Sequence, residues 1–91
     1  MNKKKPKVSI IVNCHNGEKF LKDAIKSILF QSFKNWEVIF WDNMSNDKSK
    51  KIFQAFKDSR LRYFYSKTKT PLYRARNLAI QKARGKFIAF L

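Results

Sequence analysis

Four short apolar runs rich in β-branched or aromatic residues alternate with three stretches whose apolar positions recur at helical spacing, and this alternation constrains the fold more than any other feature. Val8-Ser9-Ile10-Ile11-Val12 is nearly continuous and β-branched, as a strand buried on both faces requires. From Glu18 to Phe30, residues Phe20, Leu21, Ala24, Ile25, Ile28 and Leu29 repeat at three and four, while Lys19, Lys22, Asp23 and Lys26 take the other face of an amphipathic helix. Trp36 to Trp41 is a second β-favouring run, followed by Asp42-Asn43. Asp47 to Lys57 carries Ile52, Phe53 and Phe56 on one stripe, with Ser45 or Asn46 ahead of it as an N-cap for the free amides of the first turn. Asp58-Ser59-Arg60 is turn chemistry, and Leu61 to Tyr65 is aromatic enough for a strand nearer the sheet edge. Thr70-Pro71 then opens a third helix along Leu72, Ala75, Leu78, Ala79 and Ala83, which Gly85 is expected to end. Lys86 to Leu91 is the last apolar run.

The order is β-α-β-α-β-α-β, and short links of this kind imply right-handed crossovers and a mainly parallel sheet with helices on both faces, an α/β architecture. Such sheets bind ligands at the carboxyl ends of their strands. The loops expected to matter are therefore Asn13 to Gly17, Asp42 to Asn46 and Ser66 to Thr70, with a fourth beginning after Leu91. Ninety-one residues suffice for one core and not for two. Residues 1–7 read as a basic flexible N-terminal tail and 8–91 as the single domain.

An apolar content of 44% with nine Phe is ample for a packed interior. The longest apolar stretches are about five residues, far below the roughly 20 that cross a bilayer. The basic tail resembles the opening of a signal peptide, but Val8 to Val12 falls short of an h-region of about 7–15 residues and no small-residue cleavage site follows. The expected location is cytoplasmic, with peripheral attachment at the inner face of the membrane as an option. One cysteine, Cys14, and one histidine, His15, supply neither a disulfide nor a metal framework. The net charge of +15 attracts phosphate-rich partners, which raises nucleic acid, anionic membrane and nucleotide as candidates. Sixteen of the 21 basic residues are Lys, spread along the chain, which disfavours an Arg-rich reader of base edges. Neither GxGxxG nor GxxxxGK[ST] occurs, and two glycines exclude a Gly-rich phosphate loop.

Three groups of residues carry candidate chemistry. Asn13-Cys14-His15-Asn16-Gly17 offers amide, imidazole and backbone donors near a helix N-terminus and could hold an anion, although a tight turn at Asn16-Gly17 explains the same residues. Asp42-Asn43-Met44-Ser45-Asn46-Asp47 could hold a sugar or base edge; helix capping accounts for Ser45, Asn46 and Asp47, but less well for Asp42, which lies several positions ahead of the cap. Arg74, Arg76 and Asn77 lie early in the third helix, where the fork of Arg76 could reach a diphosphate or simply face solvent.

Together these segments resemble the opening of the inverting GT-A glycosyltransferases of family 2. Val8 to Leu21, VSIIVNCHNGEKFL, is similar to the family's VSIIVPVYNxExYL, and Ser27 to Phe33 to its SIL-x-Q-[ST]-[FY]. Asp42 to Asp47 is similar to D-[DN]-x-S-x-D, Ala75 to Ala79 to ARN-x-[GA], and Arg84 to Leu91 to xGxYIAFL. The resemblance implies a Rossmann-like three-layer α/β/α sandwich, a partial GT-A fold in which 8–91 is the nucleotide-sugar-binding half. It implies a UDP-sugar as donor and a glycan or lipid-linked acceptor. Asn13 and His15 would border the base, Asn13 standing where the family usually has proline and His15 where an aromatic packs on the base. Asn16 belongs to the same loop. Asp42 would lie near base or ribose, with Asn43 in place of a common second acid; an Asn amide can meet both the N–H and the carbonyls of uracil. Arg76 and Asn77 would line the diphosphate, and Glu18 would serve the helix's first turn or touch the ligand.

In the family an acidic DxD motif that binds Mg²⁺ or Mn²⁺ follows next, and the general base lies further on. Catalytic and metal-binding residues are thus expected downstream of Leu91, and the chain alone is expected to be inactive. Two readings from other classes stand beside this one: a basic module for nucleic acid or anionic membrane, and a structural fragment that forms homo-oligomers through the apolar Phe87 to Leu91 strand.

Overall fold

A computed structural model describes residues 5–91. Its elements alternate as the apolar periodicity predicts: β1 (Val8–Cys14), α1 (Leu21–Phe30), β2 (Trp36–Asn43), α2 (Ser49–Gln54), β3 (Leu61–Ser66), α3 (Leu72–Ile80) and β4 (Phe87–Phe90). The four strands form one sheet in the order β3-β2-β1-β4, and every pairing is parallel. β1 and β2 lie at the centre and bury apolar residues on both faces, hence their near-continuous runs.

Period-two alternation sorts these side chains into two cores. Val12, Cys14, Trp36, Val38 and Phe40 pack with Leu21, Ile25, Ile28 of α1 and Phe53 of α2. Ile11, Ile39 and Trp41 pack on the opposite face against Ala75 and Ala79 of α3. The first core is aromatic: the Phe40 and Phe53 rings stack with centroids 4.3 Å apart, and Tyr63 lies 5.6 Å from Phe40. Each such pair contributes about 0.5–1.5 kcal/mol beyond simple burial. Small residues on α3 let that helix approach the sheet closely. The three-layer arrangement is the expected one.

The ends of the helices differ from the sequence expectation. α2 is shorter than Asp47 to Lys57, and its N-cap position, Lys48, makes no side-chain cap hydrogen bond. Thr70 does not cap α3; Pro71 holds that position, and the Thr70 hydroxyl donates to Asn43 Oδ1 instead. Gly85 does not end α3, which stops at Ile80. It serves a close approach: a Cβ there would lie 2.6 Å from Ser9 Oγ and 2.7 Å from Ser9 N, where the chain enters β4 beside β1.

Beneath that approach sits a carboxylate that the sequence reading passed over as part of an apolar run. Glu37, buried on β2, accepts from the Ser9 hydroxyl (2.6 Å), the Arg84 amide (2.6 Å) and the Arg62 guanidinium (2.9 Å), and pairs with Arg84 at 3.2 Å. Burial by itself works to raise its pKa, but the hydrogen bonds from Ser9, Arg84 and Arg62 outweigh it and hold the carboxyl below its ordinary value of 4.5. One side chain thereby ties β1, β2, β3 and the α3–β4 link together.

Candidate functional site

With strand order β3-β2-β1-β4, the chain leaves β1 in one direction towards β2 and β3 and in the other towards β4, so the topological switch point lies between the carboxyl ends of β1 and β4. The three loops singled out above gather at this edge of the sheet. Two of them are stitched to each other. The Asn16 amide donates to Ser45 Oγ (2.8 Å), and the Asn46 amide donates back to Asn16 Oδ1 (2.8 Å). The Gly17 amide donates to Ser49 Oγ (2.9 Å) and the Glu18 amide to Asp47 Oδ2 (3.1 Å). Asn16 and Met44 adopt φ of 54° and 58°, a left-handed conformation that Asn tolerates better than most residues, and these bends bring the two loops face to face.

Asp42 is fully buried. Its Oδ1 accepts from the Ser45 amide (2.9 Å) and its Oδ2 from the Tyr63 hydroxyl. Burial first, and then the neighbouring Asp42, push the Tyr63 phenol well above its ordinary value of 10.0, so that it remains a donor. Asn43 is likewise committed: its Nδ2 donates to the Thr70 carbonyl (2.8 Å), and its Oδ1 accepts from the Thr70 amide (3.0 Å). This corrects the expectation that the Asn43 amide is free to meet a base. Both ends are spent on docking the β3–α3 loop. Ser45 and Asn46 are not caps either, since they bind the β1–α1 loop; Asp47 does both, its Oδ1 accepting from the Ser49 amide (2.9 Å) and its Oδ2 from the Glu18 amide.

His15 remains exposed, with Nδ1 2.8 Å from the Asn43 carbonyl. That oxygen can only accept, so Nδ1 carries the proton, and the ring is held upright beside the cleft. The cleft, of about 320 Å³, is lined by Asn13, His15, Asn43, Lys69, Thr70 and Leu72 among others. Lys69 lies in the Ser66–Thr70 loop expected at this edge, but nothing in the sequence distinguishes it from other lysines; the Asn43–Thr70 contact docks that loop at the cleft. Asn13 Oδ1 is buried with no partner among the described residues, and Cys14 is buried, which pushes its thiol pKa up and leaves it a poor nucleophile. Glu18 is exposed, with Oε1 3.5 Å from the Lys48 amide, so the stitched loops account for it. Arg76 and Asn77 stand apart from this cluster. Arg76 lies over the Phe90 ring at 5.2 Å, at the carboxyl end of β4, and Asn77 is exposed.

Among the described residues no group of three or more His, Cys, Asp or Glu could hold a metal ion. No acid among the described residues lines the cleft, and Asp42 at the end of β2 has both oxygens occupied, so these residues do not fit a Mg²⁺ or Mn²⁺ site.

A four-stranded parallel sheet of this order, with polar loops wired together at the carboxyl ends of its strands, defines an open α/β domain with helices on both faces. The Glycosyl transferase family 2 model matches residues 9–91, and the chain belongs to that family. It is 37% identical over 84 residues to the UDP-Glc:alpha-D-GlcNAc-diphosphoundecaprenol beta-1,3-glucosyltransferase WfgD of Escherichia coli, covering 92% of this chain and 33% of that protein. It is 40% identical over 88 residues to an uncharacterized glycosyltransferase of Haemophilus influenzae, covering 94% and 35%. The crystal structure of Staphylococcus aureus TarS 1-349 in complex with UDP-GlcNAc superimposes with a TM-score of 0.87 at 29% identity, over 93% of this chain and 26% of that one. The chain thus spans about a third of these curated relatives. The partial GT-A fold is established.

Proposed function

We propose that this chain forms the donor-nucleotide site of a glycosyltransferase that takes a UDP-sugar and, in the whole protein, passes the sugar to a glycan or lipid-linked acceptor. The observation that carries the reading is the cross-stitching of the β1–α1 and β2–α2 loops at the carboxyl edge of the sheet, which pre-organises one polar edge with few residues left to order on binding. TarS, whose fold this chain shares, has been crystallised with UDP-GlcNAc and with UDP. Here His15 offers its ring face to the base, and Asn13 and Asn16 flank it. Asp42 and Asn43 act as positioning residues beneath. Lys69, Arg76 and Asn77 face the diphosphate. The reaction is direct displacement: the acceptor oxygen bonds to the anomeric carbon as the bond to the diphosphate oxygen breaks, with inversion. Lys69 and Arg76 can offset part of the charge on the departing diphosphate. No general base is assigned to this chain.

Titration with UDP, with and without Mn²⁺, followed by backbone amide NMR shifts, tests this. Shifts confined to Asn13–Glu18, Asp42–Asn46, Lys69 and Arg76–Asn77, saturating near millimolar and little altered by metal, are expected. Unchanged spectra at millimolar UDP would refute it.

A second reading rests on β4, an edge strand with Phe87 51% and Phe90 53% exposed. The isolated chain is expected to self-associate through this edge. Light scattering should show a mass that rises with concentration and returns to the monomer in Ile88→Lys; a concentration-independent monomer would contradict it.

A further inference from the structure

The two ends of the sheet differ in charge and in apolar exposure. At the carboxyl end the links 15–20, 44–48 and 67–71 carry four Lys against two acids. At the amino end, residues 5–7 and the links 31–35, 55–60 and 81–86 carry eight Lys and Arg against the single Asp58. The arginines there are engaged: Arg60 pairs with Asp58 at 2.7 Å, and Arg84 pairs with Glu37 at 3.2 Å. Arg84 still exposes 56% of its side chain, and the cations there without an ion-pair partner among the described residues are lysines. Lys5, Lys7 and Lys86 line one shallow concavity, and Lys34 lines the neighbouring one, the two sharing Pro6, Asn35 and Arg84.

Beside them α1 ends on Phe30, 80% exposed, and the α1–β2 link presents Phe33, 45% exposed. α1 buries Leu21, Ile25 and Ile28 and leaves Phe30 off its packed face. The Lys34 ammonium donates to the Leu29 carbonyl at 3.0 Å, at the end of α1.

We propose that this end of the sheet, where Lys5, Lys7, Lys34 and Lys86 accompany the exposed Phe30 and Phe33, is a docking surface for an anionic lipid bilayer. Charge complementarity selects the occupant. Lysines act as point charges on flexible stems and suit a fluid array of phosphates better than fixed base edges, which are read by free Arg forks. Phenylalanines carry no polar atom to leave unsatisfied in the acyl boundary, and paired with lysines they match the composition of interfacial anchors. The surface lies opposite the nucleotide cleft, so docking leaves the donor loops open. The inference does not depend on the UDP reading.

Co-sedimentation of the chain with phosphatidylcholine vesicles containing phosphatidylglycerol, at physiological salt, tests it. The combined Lys7→Glu, Lys34→Glu, Lys86→Glu variant should lose about a hundredfold in partitioning, from three lysines near an anionic surface. Phe30→Ser with Phe33→Ser should lose about tenfold. The matched Lys19→Glu, Lys48→Glu, Lys67→Glu variant at the other end should bind nearly as the parent does, with far-ultraviolet circular dichroism confirming the fold of all three. Equal losses in the two triple variants would reduce the effect to net charge and overturn the proposal. So would equal binding to vesicles of phosphatidylcholine alone, or tighter binding to a DNA duplex that the amino-end triple variant abolishes.

Discussion

Replacing Glu37 with alanine is expected to lower the unfolding free energy by about 3 kcal/mol, because it strands several donors that converge on one buried acceptor. The Ser9 hydroxyl and the Arg84 amide lose their acceptor, and Arg62 and Arg84 lose their counter-charge, all in a residue whose own side chain is 2% exposed. A loss of that size is a large fraction of the 5–15 kcal/mol that holds a small domain together, and in a chain of 91 residues it lowers the melting temperature by roughly 15 °C or more. Thermal and urea unfolding followed by circular dichroism would measure it; a change below 1 kcal/mol would show that the network merely accompanies the fold. The pH dependence follows from the direction of the Glu37 shift. A carboxyl held below its ordinary 4.5 stabilises the folded chain fully above that value, and the stabilisation is lost as pH falls through the lower folded value. The parent should therefore weaken in acid more steeply than Glu37→Ala, which has already lost that contribution.

The second large effect is expected at Asp42. Asp42→Ala strands two donors, the Ser45 amide and the Tyr63 hydroxyl, at a cost of about 3 kcal/mol. It also frees the 43–48 loop from the end of β2, so the stitching to Asn16, Gly17 and Glu18 loosens and UDP affinity should fall at least tenfold, about 1.4 kcal/mol. Tyr63→Phe is the comparison. It removes one donor, should cost about 1 kcal/mol, and should leave UDP binding nearly intact, because the Ser45 amide keeps its acceptor. A destabilised Asp42→Ala that still shows the parent's UDP shifts would separate loop geometry from nucleotide binding and remove the role assigned to Asp42.

Much of the architecture was legible because burial on both faces leaves a coarse signature. The Val8 run and the Trp36 run are apolar at odd and even positions alike, and only a central parallel strand needs that. The resemblance to family 2 was legible for a different reason: its segments, spread over strands, helices and loops from Val8 to Leu91, occur in order and at matching spacing. Less legible were the jobs of polar residues inside those segments. Asn, Ser and Asp after a strand suit capping, ligand binding and loop-to-loop contact equally well. Ser45 and Asn46 looked like caps and instead bind Asn16, some thirty positions away.

The sequence by itself thus determined the order of elements, the strands at the centre, the end of the sheet at which the polar loops gather and the family, because these follow from local periodicity and segment spacing. Only the tertiary structure decided that Asn43 grips Thr70, that Asp42 is sealed beneath Tyr63, that Lys69 joins the cleft and that Glu37 clamps three strands. Those assignments turn on hydrogen bonds between residues more than twenty positions apart. A donor chooses among such acceptors by distance and burial, which exist only once the chain has folded.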